Sequence, residues 1–151
     1  MRVLNRDEIQ SIRPTFSVIQ IICAVLIVGP ILLFTVLYFV REEPKFTKTV
    51  DILAILGLVF GVSAVVASFV VPVLLLKDQK KVELKNAPPV IQTNTFIRYA
   101  MLEGAITTQI LFWFVTGCVY LLALAGFILA LKLAFFPTSN RIIAKVERMI
   151  D

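Results

Sequence analysis

From Phe16 to Val40 the chain carries no formal charge. A helix over that block, at ~1.5 Å per residue, is longer than the ~30 Å hydrocarbon core of a bilayer. The pattern recurs, and that recurrence constrains the fold more than any other feature. A second apolar block runs from about Thr49 to Leu76, a third from Phe96 to about Thr116, and a fourth from about Val119 to Phe136. Charges gather between and beside the blocks. Of the 151 residues, 59% are hydrophobic and 17% charged, whereas about a quarter of a soluble domain is charged. The mean hydropathy is +0.92. The expected fold is all-α: one domain over residues 1–151, a four-helix transmembrane bundle of two hairpins with a short amphipathic helix at each end.

The boundaries have local causes. In residues 1–15, Asn5 followed by Glu8 fits a helix start, with the acid near the positive end of the helix dipole. Val3, Leu4, Ile9 and Ile12 form a short apolar stripe limited by Pro14, so a short interfacial helix is expected there. Gly29-Pro30 predicts a kink in the first span, which neighbouring helices can tolerate inside a membrane. The apolar run is too long, and lacks the small-x-small site, for a cleavable signal peptide. Arg41-Glu42-Glu43-Pro44-Lys45 ends it. Asp51 lies at the start of the second block and Pro72 predicts a bend near its far end. Residues 77–95 form the longest polar stretch, and Pro88-Pro89 is expected to forbid a continuous helix through it. Gly117 permits a tight turn between blocks three and four, and Pro137 stops the fourth.

Residues 138–151 read as a second amphipathic helix, capped by Ser139 or Asn140. Ile142, Ile143, Val146, Met149 and Ile150 fall at helical spacing, with Arg141, Lys145 and Arg148 elsewhere on the wheel. Such a helix either lies in the membrane surface or packs on another subunit or the 77–95 stretch.

Four spans place both termini and the middle loop on one side. That side carries Arg2, Arg6, Arg13, Lys77, Lys80, Lys81, Lys85, Arg141, Lys145 and Arg148, against Arg41, Lys45 and Lys48 on the other. The positive-inside rule makes the first side cytoplasmic. A bacterial plasma (inner) membrane is the expected location. The net charge of +5 is then read as topology signalling and attraction to anionic lipid at the cytoplasmic face, not as nucleic-acid binding.

Between helices in lipid, close packing and polar contacts replace the hydrophobic drive. Gly57, Gly61, Ala64 and Ser68 form one small-residue stripe on the second block, and Gly126, Ala130 and Ala134 another on the fourth. Both are expected to pack against neighbours, from the same chain or from another copy.

No cofactor or metal site is expected. Histidine is absent and only two cysteines are present, so zinc and haem spacings and Ser/His or Cys/His chemistry have no material. Cys23 and Cys118 are expected at opposite faces, too far apart for a disulfide. No P-loop or nucleophile–base pair is visible, and no enzymatic activity is expected.

One residue stands out for chemistry. Glu103 lies within the third block, roughly 10 Å along the helix from Phe96. A carboxylate at that depth should face the bundle, water or a cation. Tyr99 and Thr107 share its face. Lys132, Gln20, Ser17 and Ser68 lie at similar depth, so a polar cluster of Glu103, Lys132 and Gln20 is expected, closed toward the cytoplasm by Arg98. Alternatively Arg98 and Lys132 snorkel to the headgroups and Glu103 pins the helix or contacts another subunit. The outer half offers Thr35, Thr116 and few other polar groups, where a conducting path would need them throughout. The expected role is a structural or accessory subunit, or scaffold, of a membrane complex. The alternative is a small oligomeric ion, proton or solute transporter using Glu103.

The segment Arg98-x-Ala100-x-x-Glu103-Gly104-Ala105 resembles one found in small uncharacterised bacterial four-helix membrane proteins, where it precedes an aromatic-rich half-helix. The resemblance covers about twenty residues and implies a class without an activity. The carboxylate helix is also similar to that of rotary ATPase ring subunits. The chain departs from that pattern, lacking their repeated glycine-rich inner helix and their duplicated hairpins.

Overall fold

The computed structural model describes residues 5–41, 46–76 and 87–150. Met1–Leu4, the Glu42–Lys45 charges and the 77–86 part of the middle loop lie outside them, and with these Arg2, Lys45, Lys77, Lys80, Lys81 and Lys85 of the charge count. The side chains of Arg6, Ile9, Ile12, Lys145, Arg148, Met149 and Ile150 also lie outside the described part. The described residues form five helices: α1 (Arg6–Val40), α2 (Ile52–Leu76), α3 (Ala87–Thr116), α4 (Val119–Ala134) and α5 (Ser139–Ile150).

Helix α1 starts directly after Asn5 and continues through both Pro14 and Pro30. The separate N-terminal helix expected to stop at Pro14 is corrected: it is the first part of α1. A proline removes one backbone donor and crowds the carbonyl four residues earlier, but its own φ is helical. A long helix absorbs that as a local bend where another donor reaches the freed carbonyl.

Asp51 caps α2, its Oδ1 accepting from the Ala54 N–H at 2.7 Å. This fixes the helix start at Ile52, the residue after the cap, rather than at Thr49.

The start of α3 is a second correction. Pro88-Pro89 do not exclude a helix over this stretch. They occupy its first turn, where the N–H groups have no intrahelical acceptor in any case. Residues 87–95, read as loop, therefore lengthen the third helix to 30 residues. It ends at Gly117, which takes φ 76°, the left-handed value a tight turn needs here. The Gly117 N–H returns to the Trp113 carbonyl at 2.7 Å, and the segment after α1 latches onto the same turn. There Thr47 N–H donates to the Gly117 carbonyl at 2.8 Å, and Val119 N–H donates to the Thr47 carbonyl at 3.0 Å.

Cross-contacts fix the directions. Gly29 of α1 lies beside Glu103 of α3 and Phe34 beside Trp113, so α1 and α3 run parallel. Gly57 and Gly61 of α2 lie against Phe112 and Gln109, so α2 runs opposite to α3, as α4 does. α3 is central and touches every other helix, while α1 and α2 do not meet among the described residues. The expected pair of hairpins is therefore corrected: α3 and α4 form one, but α1 and α2 are separated by α3.

The core follows from this arrangement. One cluster, with Phe16, Ile19, Cys23, Ile91 and Tyr99, includes Ile142 and Val146 of α5. The apolar face of α5 is thus packed on α1 and α3. Thr138, not Ser139 or Asn140, holds the cap position, accepting from Ile142 N–H at 3.0 Å through its carbonyl. A middle cluster joins Leu102, Ala105, Ile106 and Ile110 to Ala125 and Ile128. At the far end Ala54, Trp113, Cys118 and Leu121 pack together. Cys23 and Cys118 are free, buried and in different clusters.

The outside is apolar. α1 exposes Ile21, Val25, Val28, Leu32 and Val36, and α2 exposes residues from Ile52 to Leu75 on most of its circumference. Residues Arg13–Val40 and Ile52–Leu75 are long and apolar enough to cross a membrane, and only 11% and 17% of their most apolar windows are buried within the chain. α4 is apolar but has 16 residues, about 24 Å of helix.

Candidate functional site

The site is built on the backbone donor that Pro30 removes from α1. Pro30 has no N–H, so the Leu26 carbonyl four residues before it loses its helical donor. An orphaned acceptor in an apolar bundle needs another partner. That partner is Lys132 of α4, whose Nζ donates to the Leu26 carbonyl at 2.6 Å. The same Nζ forms an ion pair with Glu103 of α3. Gly29 makes room for it: a Cβ there would stand 3.0 Å from Glu103 Oε1. Thus Gly29-Pro30 does two things within the continuous α1. The glycine admits the carboxylate, and the proline presents a carbonyl.

Tyr99, one turn before Glu103, completes the clasp. Its hydroxyl donates to the Lys132 carbonyl at 2.8 Å, and the Lys132 ammonium lies 5.7 Å from the ring centre. The two halves of the pair are unequal. The Lys132 side chain is fully buried, while Glu103 keeps 23% of its side chain accessible. The ammonium is saturated by a carboxylate, a carbonyl and an aromatic face. A charge so held is fixed in place, because each route out leaves one of these acceptors unpaired.

The other expected members of this cluster are elsewhere. Gln20 points to the end of the bundle, where its Nε2 donates to the Pro137 carbonyl at 3.1 Å and reaches Ser139 Oγ at 3.5 Å. Arg98 does not close over Glu103. Its guanidinium sits 4.9 Å from the Phe69 ring centre and 5.7 Å from that of Phe135. Thr107 makes no hydrogen bond with the pair. Ser68 is buried against its own helix, donating to the Val65 carbonyl at 2.7 Å.

The packing stripes divide. On α2, Gly57 and Gly61 are buried against α3 and α4, Ala64 packs on the middle cluster and Ser68 is buried. A Cβ on Gly61 would stand 2.5 Å from Gln109 Nε2 and 2.8 Å from Leu124 Cδ2. On α4 the expectation is corrected for contacts within the chain: Gly126, Ala130 and Ala134 are exposed, and nothing lies within 4 Å of a Cβ built on Gly126. The α4 face that is used carries Leu121, Ala125, Ile128 and Lys132, and it packs chiefly on α3, then on α2, with α1 reached least.

Gln109 was missed. It is fully buried in the second half of α3, and its Nε2 donates to the Gly57 carbonyl at 2.7 Å. The signal was the pairing of a lone amide with a glycine stripe, since a glycine lets the neighbouring helix come close enough for a side chain to reach its backbone. Arg41 also binds across the bundle, its Nη1 donating to the Trp113 carbonyl at 3.3 Å with the guanidinium 5.7 Å from the indole ring.

No protein-family model matches the chain, and comparison with curated proteins and with solved structures finds no significant similarity.

Proposed function

We propose that this chain is a four-span integral membrane protein whose role is structural, as an accessory subunit or scaffold of a membrane complex rather than an enzyme. Support for membrane insertion is the inverted distribution of polarity. Polar groups such as Gln109, Lys132 and Asn94 are buried, while valine, isoleucine, leucine and phenylalanine face outward along α1 and α2. In water that surface would far exceed the few hundred Å² of contiguous apolar patch that soluble monomers carry. α4, at about 24 Å, spans by local thinning of the bilayer. The lysine and arginine distribution of the sequence supports a topology with both termini in the cytoplasm, and a bacterial plasma membrane is the location proposed with it.

The single observation that carries the structural role is the Glu103–Lys132–Leu26 clasp. A carrier's carboxylate has to exchange partners. Here the counter-charge is sealed on every side and also takes up the carbonyl that Pro30 frees in α1, so it ties three helices together. Between this pair and Gln109 the centre is filled by Leu102, Ala105, Ile106, Ile110 and Ile128. The transport reading has one observation in its favour, the partial accessibility of Glu103.

The test is reconstitution of the full chain in vesicles beside Glu103→Gln. A structural role predicts no ion flux from either protein and co-purification of the natural chain with a membrane partner. Proton or cation flux from the natural chain that Glu103→Gln abolishes would establish the carrier instead. Membrane insertion is tested separately, by resistance of the membrane-bound chain to alkaline carbonate extraction.

A further inference from the structure

Five residues before Glu103, about 7.5 Å nearer the start of α3, the bundle holds a second polar feature. A cavity of about 170 Å³ opens between α3, the end of α4 and the start of α5. Arg98, Arg141 and Asn94 line it, with Phe135 and Ile142 as apolar walls, and no carboxylate does. The Arg98 guanidinium is held over Phe69 and Phe135 with its donors free, and its Nε is buried without a hydrogen-bond partner. Arg141 uses Nη1 to donate to the Ala134 carbonyl at 2.6 Å, which leaves its other N–H groups. Asn94 is buried, and its amide makes no hydrogen bond among the described residues. Neither arginine is ion-paired with a described carboxylate.

We propose that this cavity binds a phosphate-type oxyanion, gripped by Arg98 and Arg141 with Asn94 as a neutral donor. Two guanidiniums converging on one cavity without an acid repel each other until an anion sits between them. Their planar forks match the paired oxygens of a phosphate. The aromatic seat of Arg98 orients that fork without consuming a donor, and a buried donor left unpaired is costly until an acceptor arrives. The acceptor is either the phosphate of an anionic lipid headgroup or a free phosphate. Only the lipid source rests on the membrane reading, under which this end of α3 lies at headgroup level.

The experiment uses the full chain in neutral detergent micelles. Two probes are titrated: orthophosphate against a chloride control, and short-chain phosphatidylglycerol against phosphatidylcholine. Binding of at least one probe is expected, with Arg141→Gln and Arg98→Gln each weakening it at least tenfold. If the source is lipid, phosphatidylglycerol binds and orthophosphate competes with it only weakly. If it is free phosphate, orthophosphate binds alone and the glycerolipid gains nothing over it. Arg98→Gln removes a packed side chain, so helical content is checked by circular dichroism. Arg141→Gln, on the exposed start of α5, carries the test if Arg98→Gln unfolds. The proposal fails if the natural chain binds neither probe, or if Arg141→Gln and a folded Arg98→Gln bind as well as it does.

Discussion

Tyr99 and Lys132 are joined twice: the phenol donates to the Lys132 carbonyl at 2.8 Å, and the Lys132 ammonium stands 5.7 Å from the centre of the same ring. The carbonyl belongs to the last turn of α4, where carbonyls have no helical donor. Tyr99 therefore caps the helix whose side chain it also faces. Tyr99→Phe keeps the ring and removes the donor. It should lower stability by about 1 kcal/mol, the net worth of one hydrogen bond, measured as unfolding of the purified chain in mixed micelles.

The ion pair should behave as a coupled unit. Lys132→Met leaves a carboxylate and the Leu26 carbonyl without their donor and is expected to destabilise by about 3–5 kcal/mol. Adding Glu103→Gln removes the stranded charge. The double variant should recover about 1–3 kcal/mol relative to additivity. Strict additivity in that cycle would mean the two side chains do not support one another.

Pro30 supplies the reason Lys132 bonds to backbone at all. In Pro30→Ala a new N–H at residue 30 can satisfy the Leu26 carbonyl within α1. The loss caused by Lys132→Met should then shrink by about 1 kcal/mol compared with the same change beside proline. An equal loss in both backgrounds would remove the link between the donor missing from α1 and the lysine.

Two glycines that look alike in sequence should respond in opposite directions. Gly61→Ala drives a methyl against Gln109 and Leu124 and is expected to cost about 1–3 kcal/mol through overpacking between α2 and α3. Gly126→Ala meets nothing within 4 Å and should be neutral or stabilising by up to about 1 kcal/mol from helix propensity. Thermal unfolding of the two variants side by side decides this.

Cys23 and Cys118 are both buried. In the folded chain neither should react with a maleimide on a timescale of minutes, and both should react after unfolding in SDS. Rapid native labelling of either would contradict the packing of the cluster that contains it.

The sequence by itself determined that the chain is helical and where most helices lie. Long apolar blocks, Asp51 ahead of one helix, Gly117 between two others and Pro137 after the fourth are local signals, and local signals act on the backbone within a few residues. It also singled out Glu103 and Lys132, since charges inside apolar blocks are visible without a fold. Proline is the residue whose effect is least local. Pro14, Pro88 and Pro89 look like breaks in sequence yet lie within helices, because a proline's effect depends on whether its missing donor falls at a helix start or is replaced from outside. Only the tertiary structure decided that α3 is the central helix, that α1 and α2 lie on different sides of it, and that Gln109 meets Gly57. It also turned Gly126 outward and gave the carbonyl freed by Pro30 to Lys132. These are questions of which faces meet, and a helical repeat gives the angle of each face about its own axis but not the neighbour it will find.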